Sequence, residues 1–461
     1  MNRTSLIVPA ALGVLASLSC PAASAADADL QALREEIAQM RKTYEARIAS
    51  LENRLAETAA QAGAAQSAAV SAQAASRPSA SESSFNPAIS AVLMGTYTHL
   101  SRSPASYAIG GFVPSGGEVA PPSRGFGLGE SEIGIAANID PTLRGQLTFA
   151  LTPENEAEVE EAFVQTLGLG GGLTLKAGRF LSGVGYMNGQ HAHAWDFADA
   201  PLAYKAMLGG QLKSDGAQLK WVAPTTLLFE LGVEAAAGGN FPATERDKNG
   251  PALGAVFAHL GGDAGASSSW RLGLSYLGTS PRDRQYEDSD ATGAVVTNAF
   301  SGRSRTLILD GVWKWAPNGN ATERSLVVQG EYFRRRETGS LGFDVDGAGL
   351  DGDYRARQSG FYAQAVYQFM PRWRVGYRYD RLDSGSTAIG RVDDGTLTAA
   401  DFPLLAAYQP RRDTVMLDWS PSEFQRWRLQ LARDRSRPDA TDNQVWLQYI
   451  VSLGAHGAHN Y

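Results

Sequence analysis

The chain has 461 residues, with 41 basic and 48 acidic side chains and a formal net charge of −7, a mild balance that argues against nucleic acid as a partner. Its 50 glycines, with 9 Trp, 16 Tyr and 17 Phe, place it between a soluble β protein and a polar-lined barrel. The only cysteine, Cys20, falls in the first segment, so everything after that segment lacks disulfides and thiolate metal sites.

Residues 1–25 read as a secretory signal peptide: a basic start at Arg3, an apolar run from Leu6 to Leu18, then Ala23-Ser24-Ala25 as a small-x-small cleavage site. The run is too short and wrongly flanked to span a bilayer. No later segment offers the roughly twenty uninterrupted apolar residues of a membrane helix. Insertion into a membrane after cleavage must therefore use strands.

Residues 26–57 predict a helical coiled coil. Leu30, Leu33, Ile37, Met40 and Tyr44 recur three and four apart, and the register then steps to Ile48, Leu51 and Leu55, a stutter that locally relaxes the supercoil. So narrow an apolar stripe cannot bury itself alone, which points to self-association. A helix of about thirty residues would extend about 45 Å, enough for a periplasmic stem touching peptidoglycan or a partner protein. Residues 58–84 are almost wholly Ala, Gln, Ser and Gly and read as a linker.

From Phe85 to Tyr461 the pattern turns to period two. Trp373, Val375, Tyr377 and Tyr379 share one face while Arg374, Gly376, Arg378 and Asp380 share the other; Trp427, Leu429 and Leu431 oppose Arg426, Arg428 and Gln430 in the same way. The runs of alternation number about sixteen, and their connections alternate between short and long. Short ones contain Asp140-Pro141, Gly170-Gly171-Gly172, Met370-Pro371 and Ser420-Pro421-Ser422; long ones cover 101–124, 181–210, 236–250, 280–304, 336–355 and 384–411. The expected fold is all-β: a sixteen-stranded antiparallel transmembrane barrel behind an N-terminal α-helical coiled coil. Its apolar face would meet lipid, and Trp313, Trp315, Tyr367, Phe369, Trp419 and Tyr449 would form aromatic belts at the headgroup levels. A soluble sandwich has no reason to keep that rhythm.

This architecture resembles the sixteen-stranded porins, particularly the phosphate-selective and dicarboxylate-channel families, some of which carry an N-terminal periplasmic coiled coil. That resemblance implies an outer-membrane homotrimer with passive diffusion of small solutes through each barrel. The run from Glu160 to Thr166, the run from Gln190 to Phe197 and the ending Gly454 to His459 are also similar to outer-membrane proteins labelled zinc-regulated or TonB-dependent receptors, which implies the alternative of a metal-linked receptor or transport protein. A plug domain and a twenty-two-stranded barrel do not fit in the about 375 residues from Phe85 onward.

The segment Leu181 to Gly210 is an early external connection, the third if one short hairpin escapes the count. The porin resemblance implies that a loop so placed folds inward, so His191, His193, Asp196 and Asp199 are its constriction residues. Alternation puts Glu130, Glu132 and Glu161 on an early part of the wall, Arg144 and Arg271 inward on their own strands, and Arg374, Arg378, Arg426 and Arg428 on a late part. Opposed acid and base patches create a transverse field in a water-filled lumen, and the arginines would suit a carboxylate or phosphate. The plainer reading pairs those arginines with Asp380, Asp418 and Glu423 to hold the barrel's shape. No cofactor is expected. His191-x-His193, followed by Asp196 and Asp199, offers enough nitrogen and oxygen ligands for zinc, with His456 and His459 a weaker pair. No Gly-x-Ser-x-Gly elbow, His-Glu-x-x-His or P-loop is present, and an enzyme is not expected.

Overall fold

The computed structural model describes residues 87–116, 119–152 and 156–454, together with Gln39, Arg41 and Lys42, which are helical. The expected signal peptide, most of the expected coiled coil, the expected linker and the terminal histidines lie outside the described residues. Residues 1–84 and 85–461 form separate units.

Eighteen strands are found among the described residues: β1 Ala88–Leu100, β2 Gly125–Leu128, β3 Ser131–Asn138, β4 Leu143–Leu151, β5 Ala157–Thr166, β6 Leu173–Leu181, β7 Lys213–Val222, β8 Leu228–Ala236 and β9 Leu253–Asp263 in the first half. The second half holds β10 Ser268–Thr279, β11 Arg284–Ser289, β12 Val295–Trp315, β13 Ser325–Phe343, β14 Leu350–Met370, β15 Trp373–Ile389, β16 Arg411–Ser422, β17 Gln425–Arg435 and β18 Asp442–Gly454. Because β2 and β3 both pair with β1, and β10 and β11 both pair with β12, each couple is one interrupted stave. The eighteen strands thus make sixteen staves, all antiparallel, and β1 pairs with β18 to close the barrel. Closure leaves no unpaired edge, which is what a strand protein in lipid requires.

The alternation sets the two faces. On β15, Val375 and Tyr377 are exposed while Arg378 and Asp380 are buried; on β17, Leu429 and Leu431 face out and Arg428 and Gln430 face in. Leu93, Leu272, Leu274, Leu307, Leu309, Leu417 and Leu447 continue the outward apolar surface. Trp373, Trp419, Trp427 and Tyr449 stand in register across four neighbouring strands, with Trp373 and Trp419 stacked at 5.9 Å and Trp427 and Tyr449 at 4.3 Å between ring centroids. Such a row near the short-turn rim is an aromatic girdle, the side chains preferring a boundary that is apolar at one end and wet at the other.

Three expected loops are partly strand. β12 begins at Val295, β13 runs to Phe343, β14 begins at Leu350 and β15 runs to Ile389, so 280–304, 336–355 and 384–411 are connections only in part. The cause is length. β12 and β14 have 21 residues each, roughly 70 Å of strand against an apolar band about 25 Å tall, so their ends pass beyond it, with Arg303, Arg305, Asp353, Arg355 and Arg357 outward and Val296, Phe300, Tyr354 and Ala356 in a buried apolar cluster inward. Arg336 and Glu337 read as the start of a loop for that reason, yet with Arg334 and Arg335 they alternate exposed and buried as strand.

Candidate functional site: the loop inside the barrel

Between β4 and β5 a short connection spans 152–156, which makes the segment between β6 and β7, residues 182–212, the third on the long-loop side. This third connection lies within the barrel. Its base is fastened by Asn188, whose Nδ2 donates to the carbonyls of Ser182 at 2.8 Å and Leu212 at 2.9 Å while its Oδ1 accepts from Leu212 N at 2.7 Å.

The loop carries one α-helix, α1, Leu202–Leu208, with all seven residues buried. Gly209 terminates it in the left-handed region at φ 71°, where a side chain would be strained. At the other end Leu202 N donates to the Asp380 carboxylate at 2.9 Å, a wall residue serving an unsatisfied helix N–H. Leu202, Tyr204, Met207 and Leu208 pack with Leu277, Ile308, Phe333 and Leu382, so this sector of the wall turns apolar side chains inward as well as outward. Tyr204 also donates to Glu331 at 3.0 Å, a carboxylate that accepts from Tyr362 at 2.7 Å and from Met187 N at 3.0 Å.

The charged part of the loop matches both charged sectors of the wall. On the late sector, Asp199 meets Arg412 and, at 3.2 Å, Arg378, while Lys205 of the loop's own helix joins it at 2.8 Å, and Asp196 meets Arg374 at 2.9 Å. Burial alone would raise the Asp199 carboxyl, but Arg412, Lys205 and Arg378 outweigh it and hold the group well below the usual carboxylate range. Asp418 takes Arg428 at 2.9 Å and Arg374 at 2.5 Å, with Arg426 at 4.0 Å.

On the early sector, His191 Nδ1 lies 3.0 Å from Glu160 Oε2 and 3.2 Å from Glu132 Oε2, and its Nε2 lies 3.2 Å from Glu161 Oε2. His193 Nδ1 is 2.8 Å from Glu132 Oε1, and the two imidazoles stack at 5.8 Å. Burial alone would pull His191 down; its hydrogen bonds to Glu132, Glu160 and Glu161 outweigh that and hold it well above the usual histidine range. Two adjacent glutamates face inward because β5 is bulged: Thr148 pairs with Glu161 and Phe149 with Val159, leaving Glu160 as the extra residue.

The expected site residues therefore fall into distinct settings. Arg378 and Arg428 face the interior but are 1% exposed, engaged with Asp199, Asp380 and Asp418. Arg374 and Arg426 face the interior half-buried. Arg271 lies inward over the Tyr186 ring and donates to Gly185 O at 3.2 Å, whereas Arg144 is exposed at the short-turn end of β4. Glu132 and Glu161 join the histidine cluster; Glu130 sits in the break between β2 and β3. Sequence reasoning missed Glu160, Glu331, Arg412 and Asn188. Only Glu160 left a signal, the tandem acid pair in an otherwise alternating run.

No family model matches the chain. An Aquifex aeolicus (strain VF5) protein, described as an uncharacterized protein, is 32% identical to it over 355 residues, covering 73% of this chain and 70% of that one. The chain belongs to that protein's family. Among solved structures it is similar to a loop-L8 deletion mutant of OmpT, an outer membrane protein of Vibrio cholerae, at a TM-score of 0.49 and 11% identity over 80% of this chain and 99% of that one. The outer membrane channel DcaP of Acinetobacter baumannii matches at 0.48 and 10%, covering 80% and 97%, and an anion-selective porin from Comamonas acidovorans at 0.47 and 11%, covering 80% and 99%.

Proposed function

We propose that the chain is a porin-like channel of the bacterial outer membrane through which small solutes, anions by preference, diffuse passively. The observation that carries this reading is a closed sixteen-stave barrel with an apolar outside, a charged inside and its third connection on the long-loop side laid across the interior. In such a channel the inward loop sets the width and the fixed charges set the field that solutes cross. Arg374 and Arg426, about one-quarter exposed on the inward faces of β15 and β17, are the side chains that meet a passing carboxylate or phosphate. The functional unit is a homotrimer in outer-membrane lipid, with the N-terminal helices associating in the periplasm. Liposome swelling tests it: proteoliposomes should admit small sugars and organic anions at rates that fall with solute size, and liposomes that swell no faster than protein-free ones would refute it.

A second reading, a metal-linked outer-membrane receptor or transport protein, has one observation in its favour. His191 and His193 lie among three inward glutamates rather than alone on a surface loop.

A further inference from the structure

The cluster at the early wall has more acceptors than an imidazole can serve. His191 Nδ1 faces two carboxylate oxygens at once, Glu160 Oε2 at 3.0 Å and Glu132 Oε2 at 3.2 Å, and a single N–H cannot point at both. These three donor atoms, one each from Glu132, Glu160 and His191, all lie within 4.8 Å of one another. Ligands roughly 2.0–2.2 Å from a tetrahedral ion lie about 3.3–3.6 Å apart, a few tenths of an ångström beyond the 3.0 and 3.2 Å spacings between the imidazole nitrogen and each carboxylate here. Both glutamates are buried, at 5% and 2% exposure for Glu132 and Glu160, so water does little to satisfy them.

The surroundings have the organisation that metal ligands need. His191 Nε2, on the far side of the ring, lies 3.2 Å from Glu161 Oε2 and donates to it, which leaves Nδ1 as the coordinating nitrogen. Glu161 is itself held, accepting from Gln146 Nε2 at 3.1 Å and from Leu181 N at 3.2 Å. His193 orients the other oxygen of Glu132 from 2.8 Å. The ligands come from two wall strands, β3 and β5, and from the loop, so an ion here ties the loop to the wall.

We propose that Glu132, Glu160 and His191 form a binding site for a zinc-class divalent ion, with Glu161 and His193 positioning the ligands, and that the bound ion pins the inward loop to the early wall. Mixed imidazole and carboxylate donors select a borderline transition metal over Ca2+ or Mg2+, which take all-oxygen shells. The proposal takes the inward loop from the channel reading, but ion binding needs no conductance, so the two fail separately.

The test is titration of the chelator-stripped, full-length protein in detergent with Zn2+ against a competing chromophoric chelator, with Co2+ absorption as a report on geometry. Folding of each variant is checked by heat-modifiable migration. Wild type should bind one ion per chain and give the intense Co2+ bands of a four-coordinate site. His456→Ala with His459→Ala should leave this binding intact; His191→Ala and Glu160→Gln should abolish it. Glu161→Gln should weaken it about ten- to a hundredfold, the usual effect of losing an outer partner. Amide exchange across 189–196 should slow on adding Zn2+ to wild type. The proposal is overturned if folded wild type binds no ion, if His191→Ala binds as tightly, if Ca2+ competes equally, or if exchange is unchanged by the ion.

Discussion

Replacing Asp199 by Asn would release the loop from the late wall while leaving the barrel closed. The side chain is buried between Arg412, Lys205 and Arg378, and all three cations stay behind when its charge is removed. Removing one partner from a buried ion pair costs about 3–5 kcal/mol, because the remaining charge is left uncompensated. That cost falls on the docked loop, since no barrel ladder passes through Asp199, so the docking equilibrium should weaken by roughly two to four orders of magnitude at about 1.4 kcal/mol per tenfold. Asp196→Asn is the internal control. Its contact with Arg374 is 2.9 Å, but both side chains are about one-fifth to one-quarter exposed, at 20% and 24%. Solvent screening limits such a pair to about 1 kcal/mol, less than a tenfold effect. Hydrogen exchange with mass spectrometry reads both: peptides across 196–208 should lose protection steeply in the Asp199 variant, slightly in the Asp196 variant, with barrel peptides unchanged. Equal exchange in the two variants would refute the assignment of Asp199 as the loop's electrostatic anchor.

Three further outcomes are expected. Asp199 has a depressed folded pKa, so its contribution to loop docking is complete above the ordinary carboxylate value near pH 4 and is lost only as pH falls through the folded value, well below it; the difference in loop exchange between wild type and Asp199→Asn should therefore be constant between pH 7 and 5, and a difference that vanishes with a midpoint above pH 4 would count against it. Tyr204→Phe removes the hydroxyl that joins Glu331 to Asn188 N, at 3.0 and 3.1 Å, and should lower loop stability by about 1.5–3 kcal/mol with the ring packing retained; a thermal shift no larger than that of a surface variant would contradict it. Arg374→Gln with Arg426→Gln should move reversal potentials under a salt gradient toward cations, whereas Arg378→Gln with Arg428→Gln, at buried positions, should act mainly on loop protection; the reverse pattern would reassign the pore-facing cations.

The outward and inward faces were legible because lipid enforces them. On β15, β17 and β18 every second residue must be apolar, and a one-residue slip would place Arg378 or Arg428 in hydrocarbon. The staves' upper ends were not legible, since a strand standing in water has no such constraint and reads as a polar loop. The bulge at Glu160 hid that residue's direction, because alternation presumes regular pairing and a bulge inserts one residue without changing composition. The loop's partners were the least accessible: Glu331 lies 127 residues from Tyr204, and Arg412 lies 213 from Asp199. Such pairs are brought together only when the barrel closes and the loop folds into it. His191, His193, Asp196 and Asp199 stood out as chemistry-bearing residues, but their opposite assignments, imidazoles to the acid sector and aspartates to the arginine sector, needed the fold.

The most direct test of the channel is single-channel recording of the purified protein in a planar bilayer, with reversal potentials taken under a salt gradient. Stepwise openings grouped in threes, with anion-selective reversal, are the predicted result. A silent bilayer from folded, heat-modifiable protein would contradict it and would mean that the inward loop closes the barrel.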